Sequence, residues 1–136
     1  MPDIVPVEAN VGISDVVGGQ TTEIAQAGEA ISRGQVYYKD PTTAYLAKCD
    51  DPDKLGVVGV AITAADADGW FVGVTSGRYA VGASVSIPDD YVLSATAGSI
   101  CPRSDLVTGD TVVEIFNAAS TTEGILKINN TGVVVP

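Results

Sequence analysis

Seventeen carboxylates and no histidine set the limits of what chemistry this chain could carry out. Histidine is the commonest general base, triad partner and metal ligand, so its absence removes three familiar site types together. A serine or cysteine nucleophile would need another base. Neither Cys49, between Lys48 and Asp50, nor Cys101, between Ile100 and Pro102, sits in a recognisable nucleophile context. Two carboxylates alone can cleave a glycosidic bond, one as acid and the other as base or nucleophile. Asp110, Glu114 and Glu123 are the candidates for such a pair. Glycosidase clefts are usually rich in aromatic side chains, whereas this chain has one Trp and two Phe. A carboxylate hydrolase is therefore the weakest of the functional readings.

Asp66-Ala67-Asp68-Gly69 resembles half of a calcium loop, in which alternating Asp side chains face one ion and Gly permits the turn. A third acidic ligand and a closing Glu are missing, so the segment reads as a plain turn. Asp50-Asp51-Pro52-Asp53 reads as a solvated acidic loop. No Gly-rich phosphate loop followed by Lys occurs, and nucleotide chemistry has no support. Asn129-Asn130-Thr131 fits the glycosylation triplet by chance, because the N-terminus lacks the basic start and apolar core of a secretion signal. Two cysteines form no disulfide framework and no paired metal-ligand spacing, although one bridge between them is possible. The expectation is a non-enzymatic protein without metal or cofactor.

These residues must be held by strands. The apolar set is mostly Val, Ile and Ala, with little Leu, and β-branched side chains suit pleated surfaces. Apolar runs at Gln35–Lys39, Ala44–Cys49, Gly56–Ile62, Trp70–Thr75, Arg78–Val81, Ser84–Ile87, Tyr91–Ser94, Ser99–Cys101, Thr111–Phe116, Gly124–Ile128 and Gly132–Val135 are separated by Gly- or Pro-bearing turns. Short strands at that spacing predict an all-β domain, a small antiparallel barrel or sandwich. Ser76-Gly77 reads as one of the turns. The helical candidates are Thr22–Ala27 and Ser104–Val107, a turn or two each. Residues 1–26 read as an extended N-terminal arm or edge strand, since Pro2, Pro6 and Gly18-Gly19 interrupt Ile4, Val5, Val7 and Val11. Residues 27–136 read as a single β domain. Trp70-Phe71 and Tyr37-Tyr38 place neighbouring rings on opposite strand faces, one member of each pair in the core and the other outward.

The length of 136 residues allows one core, and 46% apolar against 18% charged residues excludes a disordered chain. A net charge of −10 repels phosphate backbones and anionic headgroups, so neither nucleic acid nor membrane is an expected partner. No run approaches the apolar length that spans a bilayer.

The run Ala27-Gly28-Glu29-Ala30-Ile31-Ser32-Arg33-Gly34-Gln35-Val36-Tyr37-Tyr38 resembles the opening of the capsid cement, or head decoration, proteins of tailed bacteriophages. In that family an A-G-E-x-I-x-x-G-x-x-V-Y stretch precedes a short hairpin and a V-V-G-V-A segment, here Val57-Val58-Gly59-Val60-Ala61. Tyr91–Ile100 and the closing strand group are similar as well, so the resemblance covers about residues 27–136. It rests on turn-placing glycines, not on catalytic signatures. It implies a structural protein, made in the host cytoplasm, that binds the outside of the assembled shell. Its expected partners are the major capsid protein lattice and further copies of itself, a trimer by analogy. Ile4, Val5, Val7 and Trp70 are the candidate partner contacts. The competing reading is a carbohydrate- or receptor-binding module of a fibre or adhesin, with a shallow patch about Trp70, Tyr79 and Tyr91.

Overall fold

A computed structural model describes residues 3, 4, 6, 11–13, 20–87 and 89–136. Its regular structure is almost entirely β. Ten strands run through the described residues: β1 (Gly12–Ile13), β2 (Thr21–Ala27), β3 (Val36–Lys39), β4 (Thr43–Leu46), β5 (Val57–Ala61), β6 (Trp70–Ala80), β7 (Asp90–Leu93), β8 (Ile100–Pro102), β9 (Thr111–Ala118) and β10 (Glu123–Val134). The order β2-β4-β3-β5-β6 closes on itself because β6 also pairs with β2, giving a five-stranded barrel. All its pairings are antiparallel except β2 with β4. The second half of β6 continues into an antiparallel sheet in the order β6-β10-β9-β7-β8, with β1 on the far side of β6.

Strand β6 is therefore common to both parts. Its first half lies between β2 and β5, its second between β1 and β10. The change of partners is marked by a bulge opposite Thr21–Thr22, followed by Gly77 at φ +98°. Ser76-Gly77, expected as a turn, is thus a bend inside one 11-residue strand. Bulges of this kind increase twist and re-aim a strand without ending it.

Three apolar clusters follow from alternation along the strands. Ala25, Ala27, Ile31, Tyr37, Ala44, Ala61 and Phe71 fill the barrel, with the Tyr37 and Phe71 rings edge to face at 4.9 Å. The opposite faces of β3, β5 and β6, through Val36, Val60 and Val74, join a larger cluster with Tyr79, Tyr91, Ile115, Phe116 and Leu126 of the second sheet. Register lines up Gly77, Leu126, Phe116, Tyr91 and Pro102 across that sheet. Phe116 stacks on Tyr91 at 4.9 Å and meets Tyr79 edge-on at 5.8 Å. Val92, Cys101 and Val112 form a small third cluster.

Four expectations need correcting. Thr22–Ala27 is not helical: Ile24, Ala25 and Gln26 pair with Val72, Phe71 and Trp70, and that ladder overrides the local preference of Glu, Ala and Gln. Ser84–Ile87 forms no strand; Val85 is buried and its amide donates to the Thr121 carbonyl at 2.9 Å. Gly124–Ile128 and Gly132–Val135 are not two strands: all but Val135 belong to β10, which absorbs Gly132 in a register shift. Ser104–Val107 contributes only a 3-10 turn at Arg103–Asp105.

Most of residues 1–19 lie outside the described set, Val5 and Val7 among them. Those that are described touch the body. The Ile4 amide donates to the Ile100 carbonyl at 3.0 Å, Asp3 accepts from the Ser94 hydroxyl at 2.6 Å, and Val11 is buried. Ile4 itself is half-buried against the larger core cluster.

Candidate binding face on the barrel

Among the described residues, the two most exposed large apolar side chains are Ile24 at 71% and Trp70 at 64%. Both project from the outside of the barrel for one reason. On β2, Ala25 and Ala27 point inward and Ile24 and Gln26 outward; on β6, Phe71 points inward and Trp70 and Val72 outward. Directly paired residues of antiparallel strands share a face. The pairs Ile24–Val72 and Gln26–Trp70 therefore gather Ile24, Val72, Trp70 and Gln26 into one patch.

The patch rests on a tied-down backbone. The Asp66–Gly69 turn closes through the Gly69 amide to the Asp66 carbonyl at 2.9 Å, with Asp68 at φ +69°. It is pinned to the end of β2 by Asp68 N–H to Ala27 O at 2.7 Å, Ala27 N–H to Gly69 O at 2.8 Å, and the Gln26 side-chain Nε2 to Asp68 O at 3.1 Å. The Thr63 hydroxyl accepts from the Val72 amide at 2.8 Å. Trp70 thus stands on a framework whose local hydrogen bonds are made.

Beneath the patch, Glu23 turns to the other side of β2. It accepts from the Tyr37 hydroxyl at 2.6 Å and pairs with Lys39 at 2.7 Å. Burial, and then the Glu23 carboxylate, push the Tyr37 phenol well above its usual range. Tyr37 is fully buried and its hydroxyl lies over Gly73, where a Cβ would collide with it.

The carboxylates considered for hydrolysis are held in separate bonds. Glu114 accepts from the Asn129 side chain at 3.1 Å, and Glu123 pairs with Arg78 at 2.7 Å. Asp110 is buried and accepts from the Val107 amide at 3.0 Å. Among the described residues, no group of three His, Cys, Asp or Glu is placed to hold a metal ion. The aromatic patch expected about Trp70 does not form, because Tyr79 and Tyr91 are both core residues. Tyr38, expected outward as the counterpart of Tyr37, is half-buried against the larger cluster and tilts on Tyr45 at 5.8 Å. Ile24 was not among the sequence candidates. Its only signal is that the residues alternating with it, Ala25 and Ala27, are small enough to fill a narrow barrel.

Cys49 and Cys101 are both free and buried. Burial pushes each thiol up to about 12, assisted by Asp110 beside Cys49 and by Asp3 near Cys101. A native chain is therefore expected to react with a disulfide reagent at pH 8 at least a hundredfold more slowly than the urea-unfolded chain, because the thiolate is the nucleophile. Fast labelling of the native chain would refute the burial. The sign of the pH effect follows as well. A thiol whose folded pKa is raised stabilises the fold fully below its unfolded pKa, about 8.5, and that stability is lost as pH climbs towards about 12. Urea midpoints should fall above pH 8.5 in the parent chain, and less steeply when both cysteines are alanine.

Comparison with family models, with curated protein sequences and with solved structures returns no match.

Proposed function

We propose that this chain is a decoration protein that binds the outer surface of an assembled phage shell and stabilises it, acting in many copies and as a homo-oligomer. The observation that carries the reading is the barrel's outer face, where Ile24 and Trp70 stand 71% and 64% exposed on a hydrogen-bonded framework. Scattered surface apolar residues are ordinary, but two large ones on one face, diagonal neighbours across a strand pair with Val72 opposite Ile24, form a patch suited to contact. The resemblance to capsid cement proteins supports the choice of partner. Two of its segments fall in the barrel, Ala27–Tyr38 from the end of β2 into β3 and Val57–Ala61 as β5, while Tyr91–Ile100 lies in the second sheet. They mark the scaffold, while the outward residues of β2 and β6 supply the surface. Repetition over a lattice multiplies a modest affinity per copy.

The test is co-sedimentation of the purified chain with expanded, undecorated shells of the phage that encodes it. Saturable binding, with a raised melting temperature of the shell, is the expected result. An unbound chain at micromolar concentration would sink the reading.

A further inference from the structure

The segments that build the exposed face, Thr21–Ala27 and Ile62–Thr75, contain Glu23, Asp66 and Asp68 and no lysine or arginine. Glu23 is turned away and neutralised by Lys39. Asp66 and Asp68 are both exposed, in the turn that leads directly into Trp70. Exposed apolar side chains bordered by uncompensated carboxylates make a mixed surface with a definite complement. A second copy is a poor one, since it would bring the same Asp pair against this pair in a chain already at −10. A nucleic acid or an anionic bilayer is worse.

We propose that the Ile24–Val72–Trp70 face docks, with Asp66 and Asp68 as its acidic rim, on an apolar socket of a protein partner that is bordered by lysine or arginine side chains. This rests on the decoration reading, with the shell subunit as the partner. It adds the acidic rim to that face and says what chemistry the lattice must present to it. The indole is the anchor, because a buried Trp contributes a large area at low conformational cost and needs one acceptor for its N–H. The carboxylates steer and orient the approach, an effect that salt screens within about 10 Å at 0.1 M. The charge of the rim acts on encounter and on binding at low salt; the apolar contact persists at high salt.

The experiment compares four chains on expanded, undecorated shells at about 50 and about 500 mM NaCl, a range over which screening removes most exposed charge interactions. They are the parent, Trp70→Ala, Ile24→Thr, and the double variant Asp66→Asn with Asp68→Asn. Asparagine tolerates the positive φ at position 68, and thermal melts establish that each variant is folded. Trp70→Ala is expected to bind at least tenfold more weakly at both salts, and Ile24→Thr several-fold more weakly. The double Asn variant should lose several-fold at low salt and match the parent at high salt. Trp70 is the one tryptophan in the chain. Replacing it biosynthetically with 7-azatryptophan gives a reporter that is excited apart from shell tryptophans, and its quenching by acrylamide should fall on binding.

A parent chain that does not sediment overturns the decoration reading, and this inference with it. If the parent sediments and the variants bind as well as it does, with azatryptophan still open to acrylamide, the inference alone is overturned. The same holds if, without shells, the chain forms a Trp70-dependent oligomer that strengthens with salt, since the occupant of the face is then a second copy.

Discussion

Replacing Phe116 with alanine is expected to destabilise the chain by about 4 kcal/mol, the usual range for deleting a buried phenyl ring from a packed core. Phe116 is 2% exposed and stacks on Tyr91 while meeting Tyr79 edge-on. Its ring fills the middle of the row that crosses the second sheet from Gly77 to Pro102. The surrounding backbone is tied into ladders on both sides, so the cavity has little freedom to collapse. Domains of this kind hold only about 5–15 kcal/mol in total, and the variant should unfold near ambient temperature or at much lower urea. Urea titration followed by circular dichroism measures the effect. Phe116→Leu should cost less than half as much. A loss below about 1 kcal/mol for Phe116→Ala would show that the ring is not central to the core.

The second large effect is expected at Gly73, where a single methyl group is too much. A Cβ there would run into the Tyr37 hydroxyl and ring, among the buried residues that fill the barrel. Gly73→Ala should therefore cost about 3 kcal/mol, combining overpacking with displacement of the Tyr37–Glu23 hydrogen bond. The origin of the loss can be isolated with Tyr37→Phe. Taken singly, that change removes one hydrogen bond from Glu23 and should cost about 1 kcal/mol. Combined with Gly73→Ala it removes the nearest clashing atom while the ring carbons still oppose the methyl. The double variant should therefore recover part, not all, of the Gly73→Ala loss and be somewhat more stable than the sum of the two losses predicts. Strict additivity would mean that the methyl is accommodated elsewhere.

Much of the scaffold was legible because turn residues punctuate it. Asp40-Pro41-Thr42 separates β3 from β4, which starts at Thr43, and the Asp66–Gly69 turn leads into β6. Where sequence reasoning failed, it failed on long strands. Gly77 and Gly132 look like ends of elements, yet β6 and β10 run through them, because glycine at positive φ can serve a bulge as readily as a turn. The segment Thr21–Ala27 misled for a different reason. Its inward residues are alanines and its bulky apolar residue points outward, so the usual rule that large means buried reverses there. The face was half visible for the same reason. Trp70 announces itself beside Phe71 through strand alternation, whereas Ile24 could be placed only once β2 was known to lie against β6 in this register. Tyr79 and Tyr91 looked equally suited to a surface, and nothing local distinguishes a core tyrosine from an exposed one.

The pairing of Ile4 with Ile100 sets an order of events. During synthesis Ile4 cannot find its partner until the chain has grown past Ile100, and the β2–β6 ladder must likewise wait for β6. Contacts so distant along the chain are slow to form, since closing the loop precedes any gain from pairing. The hairpin-like pairs β3–β4 and β9–β10 can form early. Amide exchange pulsed during refolding should protect Leu126 and Phe116 well before Ile4, whose attachment to the edge of β8 completes the structure.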